Sequence, residues 1–312
     1  MLLIFLNEQR FLEEAVQSVR DQTLAHWELI LVDDGSTDAS TQIARDLAAA
    51  DQRIRYVDHP GHANRGMSAS RNLGVTHATA PHIAFLDADD VYMPDKLAEQ
   101  VELLESMPDV ALVCGAMLLW YSWDPASTEK DSALTGGVAD RRLDPPEAAL
   151  VFEPLGRAPS AGVDLLVRRS VFEAVGGFED RFHGLYEDQA FLTKVYLRYP
   201  IYISSRVWLY YRQHDASCCA QTTWTDYWRL RSVFLDWLAE DAVLLEDHRV
   251  NAALRRARRE IPYRRLTAPA YDAYARVCDR LPAQFKGRVK RAFAAPSARL
   301  KNRSTSGRTG TA

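Results

Sequence analysis

The segment HIAFLDADDVYMPD, residues His82–Asp95, joins an apolar run to a cluster of acids. The run Ile83–Leu86 is typical of a buried strand, and Asp87, Asp89 and Asp90 follow it directly. In open α/β sheets, ligands bind in the crevice outside the carboxyl ends of the strands. The pattern therefore predicts a strand that places carboxylates at a ligand site.

Two interpretations of these acids stay open. Asp is common in turns because its side chain hydrogen-bonds nearby backbone N–H groups, so one interpretation is a turn without a ligand. Three carboxylates within four residues repel one another, however, which raises their pKa values and costs stability unless a cation lies among them. Oxygen ligands suit a hard divalent ion such as Mg²⁺ or Mn²⁺, and we favour a metal site.

The size of the chain allows a substantial core, since it has 312 residues of which 47% are hydrophobic. At roughly 150 residues per domain, this length predicts two domains or one large one. The apolar run Val110–Tyr121 is shorter than the ~20 residues of a membrane-spanning helix. Met1–Leu6 has no basic residues before it and is too short for a signal-peptide core. We therefore expect a cytoplasmic protein.

The cysteines show neither a disulfide framework nor a zinc-binding spacing. There are four, Cys114, Cys218, Cys219 and Cys278, without any C-x-x-C motif. Free thiols in a reducing compartment are the expected state.

Charge divides the chain into an acidic body and a basic tail. Residues 249–312 hold 17 Lys and Arg against 3 Asp and Glu, a balance of +14, and residues 1–248 have a balance of −18. Basic and apolar residues interleave over Phe285–Phe293. This tail could lie on an anionic membrane surface at the inner face, or it could be a solvated basic helix followed by a disordered end at Ser304–Ala312. No recognition motif supports nucleic-acid binding.

Strand and helix patterns alternate through residues 2–215. The predicted strands are Leu2–Leu6, Trp27–Val32, Ile54–Val57, Ile83–Leu86, Val110–Leu119, Val163–Val167, Ile201–Ser204 and Val207–Tyr211. The predicted helices cover Phe11–Val19, Ile43–Leu47, Met67–Ala78, Leu97–Leu104 after a helix-opening Pro94, Arg169–Val175, and a run beginning at Glu187. Repeated βα units imply a mostly parallel sheet with helices on both faces.

Two further regions depart from this alternation. Ser122–Pro146 shows no periodicity, and it is either a loop that covers the substrate or a disordered segment. From Thr222 onward the pattern is helical, with a first helix over Trp224–Leu235 and a second over Val243–Ala257.

The order of several short motifs resembles the inverting family-2 glycosyltransferases of the GT-A fold. The motifs are Leu6-Asn7-Glu8, Val32-Asp33-Asp34-Gly35-Ser36-Thr37-Asp38, Ala69-Ser70-Arg71-Asn72-Leu73-Gly74, Phe85-Leu86-Asp87-Ala88-Asp89-Asp90, Gly176-Gly177-Phe178, Glu187-Asp188 and Tyr211-Arg212-Gln213-His214. The resemblance covers about residues 2–215. It implies a Rossmann-like, mixed and mostly parallel sheet flanked by helices, followed by a helical carboxyl-terminal extension.

The resemblance also implies roles for individual residues. Asp34 would accept a hydrogen bond from the nucleotide base, with Leu6 and Asp33 close by, and Arg71 lies in a segment that lines the nucleotide pocket. Asp87-Ala88-Asp89 would be the DxD motif that holds Mn²⁺ or Mg²⁺ on the donor diphosphate, and His214 matches a position near that metal. Asp188, of the pair Glu187-Asp188, would be the catalytic base.

Elementary chemistry agrees with these roles. An acidic body repels a nucleotide diphosphate unless a cation bridges the two, and such a cation also stabilises the leaving group. The remaining task is to remove a proton from the attacking hydroxyl, which a carboxylate of raised pKa can do. Adjacent Glu187 and Asp188 supply like charges that raise the pKa, whereas a helix dipole at their position opposes the shift.

The sequence therefore predicts a metal-dependent inverting glycosyltransferase. It would move a sugar from a nucleotide donor, a UDP-sugar first of all, to a glycan or lipid-linked acceptor in polysaccharide or glycolipid synthesis. The expected units are a nucleotide-sugar half over 1–120, an acceptor half over 121–220 and a basic helical extension over 221–312.

Two rival functions stay open. The first is a sugar nucleotidyltransferase, which would need a Gly-rich phosphate loop after the first strand, where Asn7-Glu8-Gln9-Arg10 stands instead. The second is a catalytically silent nucleotide-sugar-binding or membrane-associated protein, favoured if the start of the first strand at Met1 has spoiled the pocket. P-loop and H-E-x-x-H motifs are absent from the sequence, which argues against NTPase and zinc-protease chemistry.

Overall fold

The computed structural model describes residues 1–134, 137–159, 164–240 and 246–279. Its strands are β1 Leu2–Phe5, β2 Leu29–Asp33, β3 Ile54–Asp58, β4 His82–Asp87, β5 Val91–Tyr92, β6 Leu112–Trp120, β7 Ser132–Leu134, β8 Arg141–Leu143, β9 Leu165–Arg168 and β10 Ile201–Arg212. Its helices are α1 Leu12–Arg20, α2 Ser40–Ala50, α3 Met67–His77, α4 Lys96–Ser106, α5 Glu147–Val151, α6 Arg169–Ala174, α7 Glu187–Tyr196, α8 Cys218–Gln221, α9 Trp224–Leu238 and α10 His248–Asp279.

One mixed sheet organises these elements in the order β3-β2-β1-β4-β9-β6-β10-β5. The amino-terminal strands β3, β2, β1 and β4 pair in parallel. β9 runs antiparallel between β4 and β6, and β10 again runs parallel to β6. The predicted α/β fold with helices around a mixed sheet is confirmed.

The side chains of β1 show why helices must cover both faces of the sheet. Leu2 and Ile4 point into one apolar cluster, and Leu3 and Phe5 point into the other. This alternation is the period of two that a strand imposes, and here every side chain of β1 is buried. A strand that is apolar on both faces belongs in the interior of a helix-covered sheet.

Helix α1 closes one face of the sheet because its sequence is amphipathic. Leu12, Val16 and Val19 are fully buried in the same cluster as Leu3, while Glu13 and Glu14 lie in the exposed first turn. Apolar residues at this spacing form one stripe along a helix, as the sequence predicts.

The structure corrects three predictions of local structure. The strands predicted at Ile201–Ser204 and Val207–Tyr211 form one strand, β10, because an irregular register between Ile203 and Leu209 bends it without ending it. Ser122–Pro146 contains β7 and β8, which pair with β6 and β10. Pro94 does not open α4, which begins at Lys96.

The helical carboxyl-terminal extension consists of α9 and α10, which pack on each other. Leu235 and Leu238 of α9 share a cluster with Val250 and Leu254 of α10. Val163, the residues 243–245 of the predicted second helix, and the basic tail from 280 onward lie outside the described residues. Within the described ranges, we find no helix with the length and apolar character needed to span a bilayer.

Candidate active site

The carboxyl ends of the parallel strands bring the predicted acids to one edge of the sheet. Asp87 is the last residue of β4, and Asp89 lies in the turn that follows it. Glu8 comes shortly after β1, which is the parallel neighbour of β4. Carboxylates from separate parts of the chain are therefore concentrated at this edge.

Asp89 and His214 form the closest pair of predicted metal ligands. His214 follows the end of β10, and its Nε2 lies 2.9 Å from Oδ2 of Asp89. Its imidazole also contacts the rings of Phe11 and Trp123, with centroids 5.5 and 6.4 Å away. These aromatic contacts fix the ring beside the acid.

Asp90, the third acid of the cluster, turns inward. It is fully buried, and its Oδ1 accepts a hydrogen bond of 2.8 Å from the backbone N–H of Arg212. Burial, together with the charges of Asp89 and Asp87, raises its pKa well above the usual value for Asp. Asp90, which is not among the predicted metal ligands, therefore ties the β4 turn to β10.

Arg71 of α3 supplies a cation inside the acidic cluster. Its guanidinium is buried, donating to Oδ1 of Asp87 at 2.7 Å and to Oε1 of Glu187. The side chain of Asp87 remains 30% exposed. The repulsion that the sequence implied for this edge is thus relieved partly by the protein itself. Arg71 connects the strand tip to α7 rather than pointing into an open pocket.

Glu187 and Asp188 open helix α7 behind a left-handed residue. Tyr186 has φ 73°, an uncommon conformation for a residue with a side chain, and it aims the following turn at the strand tip. Burial raises the pKa of Glu187 to about 7, against the opposing effect of Arg71. Burial also raises the pKa of Asp188, although the backbone N–H of Gln189 and Arg71 counteract it. Asp188 is thus a partly exposed carboxylate of enhanced basicity.

Asp33 and Asp34, at the end of β2, are both engaged by the protein. Asp33 accepts hydrogen bonds from the backbone N–H of Ser36 at 2.7 Å and from the hydroxyl of Thr41 at 2.5 Å. The carboxylate of Asp34 accepts hydrogen bonds of 2.7–3.1 Å from the backbone N–H groups of Arg65 and Gly66. Asp34 therefore shapes the loop that leads into α3.

Leu6 is the exposed member of the predicted nucleotide-binding set. Its side chain is 40% exposed directly after β1. An apolar surface at the carboxyl end of a strand is available to a planar base, which fits the predicted location of the nucleotide.

Glu8 is a residue of this edge that the sequence prediction left without a role. Burial and the charges of Asp89, Asp38 and Asp87 raise its pKa to about 7, with His214 acting in the opposite direction. Its position just after β1, the parallel neighbour of the Asp87 strand, is the signal that could have placed it here.

The donor groups at this edge fit a hard divalent cation in chemical type. Asp87 and Asp89 offer carboxylate oxygens and His214 offers an imidazole nitrogen, a combination suited to Mn²⁺. Within the described ranges, no three His, Cys, Asp or Glu side chains converge closely enough to hold a metal ion. The three predicted ligands thus form a pair, Asp89 with His214, and a separate acid, Asp87, which contacts Arg71.

The buried bridge made by Arg71 leads to a stability prediction. We expect Arg71→Met to lower the free energy of unfolding by about 3–5 kcal/mol, because it leaves the carboxylates of Asp87 and Glu187 without their cation. Urea unfolding followed by circular dichroism measures this loss. Addition of Glu187→Gln to Arg71→Met should recover part of it, since one of the unpaired charges is then removed. A loss below about 1 kcal/mol would show that the bridge has little structural importance.

Sequence comparison finds a family match in the amino-terminal part of the chain. Residues 2–133 match the family model described as Glycosyl transferase family 2. The putative teichuronic acid biosynthesis glycosyltransferase TuaG of Bacillus subtilis is 39% identical over 100 residues, which cover 31% of this chain and 38% of that protein. The putative glycosyltransferase EpsE of the same organism is 37% identical over 115 residues, 36% of this chain and 41% of that protein. The matches thus span about two-fifths of these relatives.

Solved structures share the fold of this chain. Staphylococcus aureus TarS 1–349 in complex with UDP-GlcNAc has a TM-score of 0.62 and 14% identity, covering 91% of this chain and 76% of that one. The mannosyltransferase PcManGT from Pyrobaculum calidifontis, in complex with GDP-Man and Mn²⁺, has a TM-score of 0.57 and 17% identity, covering 95% and 78%. These likenesses confirm the predicted GT-A fold, and the family match over residues 2–133 agrees with the predicted family.

Proposed function

We propose that this chain, whose residues 2–133 belong to glycosyl transferase family 2, transfers a sugar with inversion from a nucleotide diphosphate to an acceptor hydroxyl. One observation carries the proposal. Arg71 joins Asp87, at the tip of β4, to Glu187, next to Asp188 at the start of α7. This bridge supports the assignment of the donor-side acids and the candidate base, about a hundred residues apart in sequence, to one site.

Asp188 is the proposed catalytic base. Its carboxylate would accept the proton of the acceptor hydroxyl as that oxygen attacks the anomeric carbon, and burial raises its pKa toward the working range. Glu187 and Arg71 are positioning residues, because they hold the first turn of α7 against the strand tip. The residue that starts α7 is thereby kept close to the donor side.

Asp87 and Asp89, with His214, are the residues proposed to hold Mn²⁺ or Mg²⁺. Such an ion, when bound, neutralises the donor diphosphate and stabilises the charge on the leaving nucleotide. The mannosyltransferase structure described above contains Mn²⁺, which supports this assignment. Leu6, Asp33 and Asp34 are the proposed surroundings of the nucleotide base, with UDP as the first nucleotide to test and GDP as the second.

The acceptor and the location of the protein are also proposals. The name of TuaG refers to teichuronic acid biosynthesis, which supports a glycan or lipid-linked acceptor in polysaccharide synthesis. We propose a cytoplasmic protein whose basic tail contacts the inner face of the membrane. Cell fractionation of the full chain and of a chain ending at residue 279 tests this location. If the tail contacts the membrane, the full chain should partition with the membrane fraction and the shortened chain should not.

Donor turnover tests the proposed function as a whole. Purified protein with Mn²⁺ and a panel of UDP- and GDP-sugars should release the free nucleoside diphosphate from one of them, slowly without acceptor and faster with it. Failure to turn over any donor in the panel would contradict the proposed activity. Release of pyrophosphate from a sugar phosphate and a nucleoside triphosphate would support the nucleotidyltransferase alternative instead.

The raised pKa values of Glu187 and Asp188 predict an acid limb in the pH profile. Asp188 accepts a proton only as a carboxylate, so activity should be present above its pKa and lost below it. Because burial raises the pKa of Glu187 to about 7 and that of Asp188 above its usual value, the loss should begin near neutrality. Turnover number measured against pH checks this.

A matched variant separates the two acids. Glu187→Gln deletes one of the two titrating groups. In this variant the loss of activity near neutrality should disappear, and the loss at lower pH, which belongs to Asp188, should remain. A turnover number that stays constant down to about pH 4, the usual pKa of Asp, would contradict the assignment of a base whose pKa is raised.

A further inference from the structure

A cavity separate from the acidic edge lies between α9, α10 and the chain after α5. Its volume is about 680 Å³, within the range of small-molecule sites. Arginines from three segments line it: Arg157, Arg231, Arg256 and Arg264. The acids of its lining are Glu153 and Glu260. The wall therefore has an excess of positive charge, although the body of the chain is acidic.

The deepest of these cations is held in a fixed orientation. Arg231 is buried, donating to the carbonyl of Pro154 at 2.9 Å and to the hydroxyls of Tyr227 and Tyr186 at 3.2 and 3.3 Å. Glu153 lies 3.6 Å away and half-exposed, so it offsets the charge only in part. A buried arginine fixed by neutral partners keeps most of its capacity to attract an anion.

Two further arginines of the lining, Arg256 and Arg264, have no carboxylate partner within the described ranges. Arg256 donates to the carbonyl of Leu155 at 3.0 Å, and the guanidinium of Arg264 lies 5.3 Å from the ring centre of Trp228. Neither contact neutralises the charge. Both side chains can therefore pair with an anionic group that enters the cavity.

Aromatic rings form the rest of the wall. Trp224, Tyr227 and Trp228 line it, and Trp224 is 51% exposed. An exposed indole in the same cavity wall as these guanidinium groups offers a flat apolar face and a charge partner together. A sugar ring that carries an acidic group matches both features, whereas an uncharged apolar ligand would leave the arginines unpaired.

One wall of the cavity is formed by the segment that precedes the proposed catalytic residues. Leu185 lines it, and Tyr186, which receives the hydrogen bond from Arg231, directly precedes Glu187 and Asp188. A molecule bound there would have one end next to the start of α7. This is where an acceptor must lie if Asp188 is to remove its proton.

The geometry points to an acceptor site for an anionic saccharide, a glycan unit that carries a phosphate or carboxylate group. Arg231, Arg256 and Arg264 bind the acidic group, and Trp224 with Trp228 packs against the sugar ring. This inference rests on the proposed transferase function and gives it a substrate class. It also assigns a role to the helical extension, which completes the acceptor side of the site.

Three probes of one shape test the charge requirement. These are p-nitrophenyl β-glucoside, its 6-phosphate and p-nitrophenyl β-glucuronide, titrated against the full chain by saturation-transfer NMR. Hydrogen bonds to a charged group are worth about 1.5–3 kcal/mol, so at least one anionic probe should bind about tenfold more tightly than the neutral one. The 6-phosphate and the glucuronide then tell a phosphate-bearing acceptor from a carboxylate-bearing one. Equal affinity for all three probes would overturn the inference.

Matched variants test the residues. The double variant Arg256→Gln/Arg264→Gln should bind the preferred anionic probe about tenfold more weakly than wild type does. Its affinity for the neutral probe should be unchanged. Arg259→Gln, an exposed arginine of α10 outside the cavity, should behave as wild type. If the double variant fails to fold, NaCl can be added to the wild-type titrations instead. The salt should lower the affinity for the anionic probe only. An unchanged affinity in the double variant, or an equal loss in Arg259→Gln, would overturn the site.

Donor hydrolysis with Mn²⁺, measured on the same proteins, separates this inference from the proposed function. Retained hydrolysis with no preference for anionic probes would overturn the cavity assignment alone. Absence of hydrolysis in wild type would contradict the transferase proposal, and with it the acceptor role, even if the anionic probes bind.

Discussion

Asp188→Asn is expected to reduce the rate of sugar transfer by about 10² to 10⁴, the usual contribution of a general base. Asparagine has nearly the shape of aspartate but cannot take the proton of the acceptor hydroxyl. The hydrogen bond that Asp188 accepts from the backbone N–H of Gln189 can be kept by the amide oxygen, so the first turn of α7 should persist. Steady-state transfer under saturating donor and acceptor measures the effect.

Donor affinity is the internal control for this variant. Because the nucleotide and its diphosphate are assigned to the strand ends β1, β2 and β4, donor binding should change by less than about threefold, or under 1 kcal/mol. Asp95→Asn, an exposed aspartate just before α4, should keep wild-type activity. A transfer rate in Asp188→Asn within a few-fold of wild type would remove Asp188 from its role.

Asp89→Asn is expected to have an effect of comparable size on the donor side. A metal ion at the leaving group contributes several kcal/mol of charge stabilisation, so losing one ligand should reduce turnover by about 10² or more. EDTA should abolish wild-type activity, and added Mn²⁺ should restore it. Turnover measured with and without EDTA in both proteins checks the prediction. Full activity in EDTA would contradict the assignment of Asp87, Asp89 and His214 to a metal.

The elements of the fold that could be predicted are those set by local pattern. The sequence Ile83–Leu86 predicts a buried strand because it is apolar on both faces. The observed strand β4 includes this segment. The spacing of Leu12, Val16 and Val19 likewise locates α1. Such patterns depend on the periods of strand and helix, which neighbouring residues alone reveal. Local pattern could not predict that β10 is one continuous strand. Its continuity depends on an irregular pairing with β6, which is distant in sequence.

In the candidate site, too, local features could be predicted from the sequence and long-range contacts could not. That Asp87 and Asp89 follow a strand is local information, and it placed them at the edge of the sheet. The inward turn of Asp90 depends on the backbone of Arg212, 122 residues away. The bridge from Arg71 to Glu187 spans 116 residues. Contacts over such separations arise only when the sheet is assembled, so no spacing within the sequence indicates them.

The domain division predicted at residues 120 and 220 remains a proposal. β6 ends at Trp120, and the following β7 and β8 pair back onto the same sheet. The 121–220 segment and the amino-terminal segment therefore share one sheet. The assignment of the first to the acceptor and the second to the donor awaits the substitutions described above.

In the proposed function, a divalent cation links the acids of the β4 tip to the diphosphate of a sugar nucleotide. Calorimetric titration of UDP-GlcNAc and GDP-mannose into wild type and Asp87→Asn/Asp89→Asn, each with Mn²⁺ and with EDTA, tests it most directly. Wild type is expected to bind one of the two nucleotides with Mn²⁺ and to lose that binding in EDTA, and the double variant is expected to bind neither. Equal affinity with and without the metal, or undiminished binding by the double variant, would contradict it.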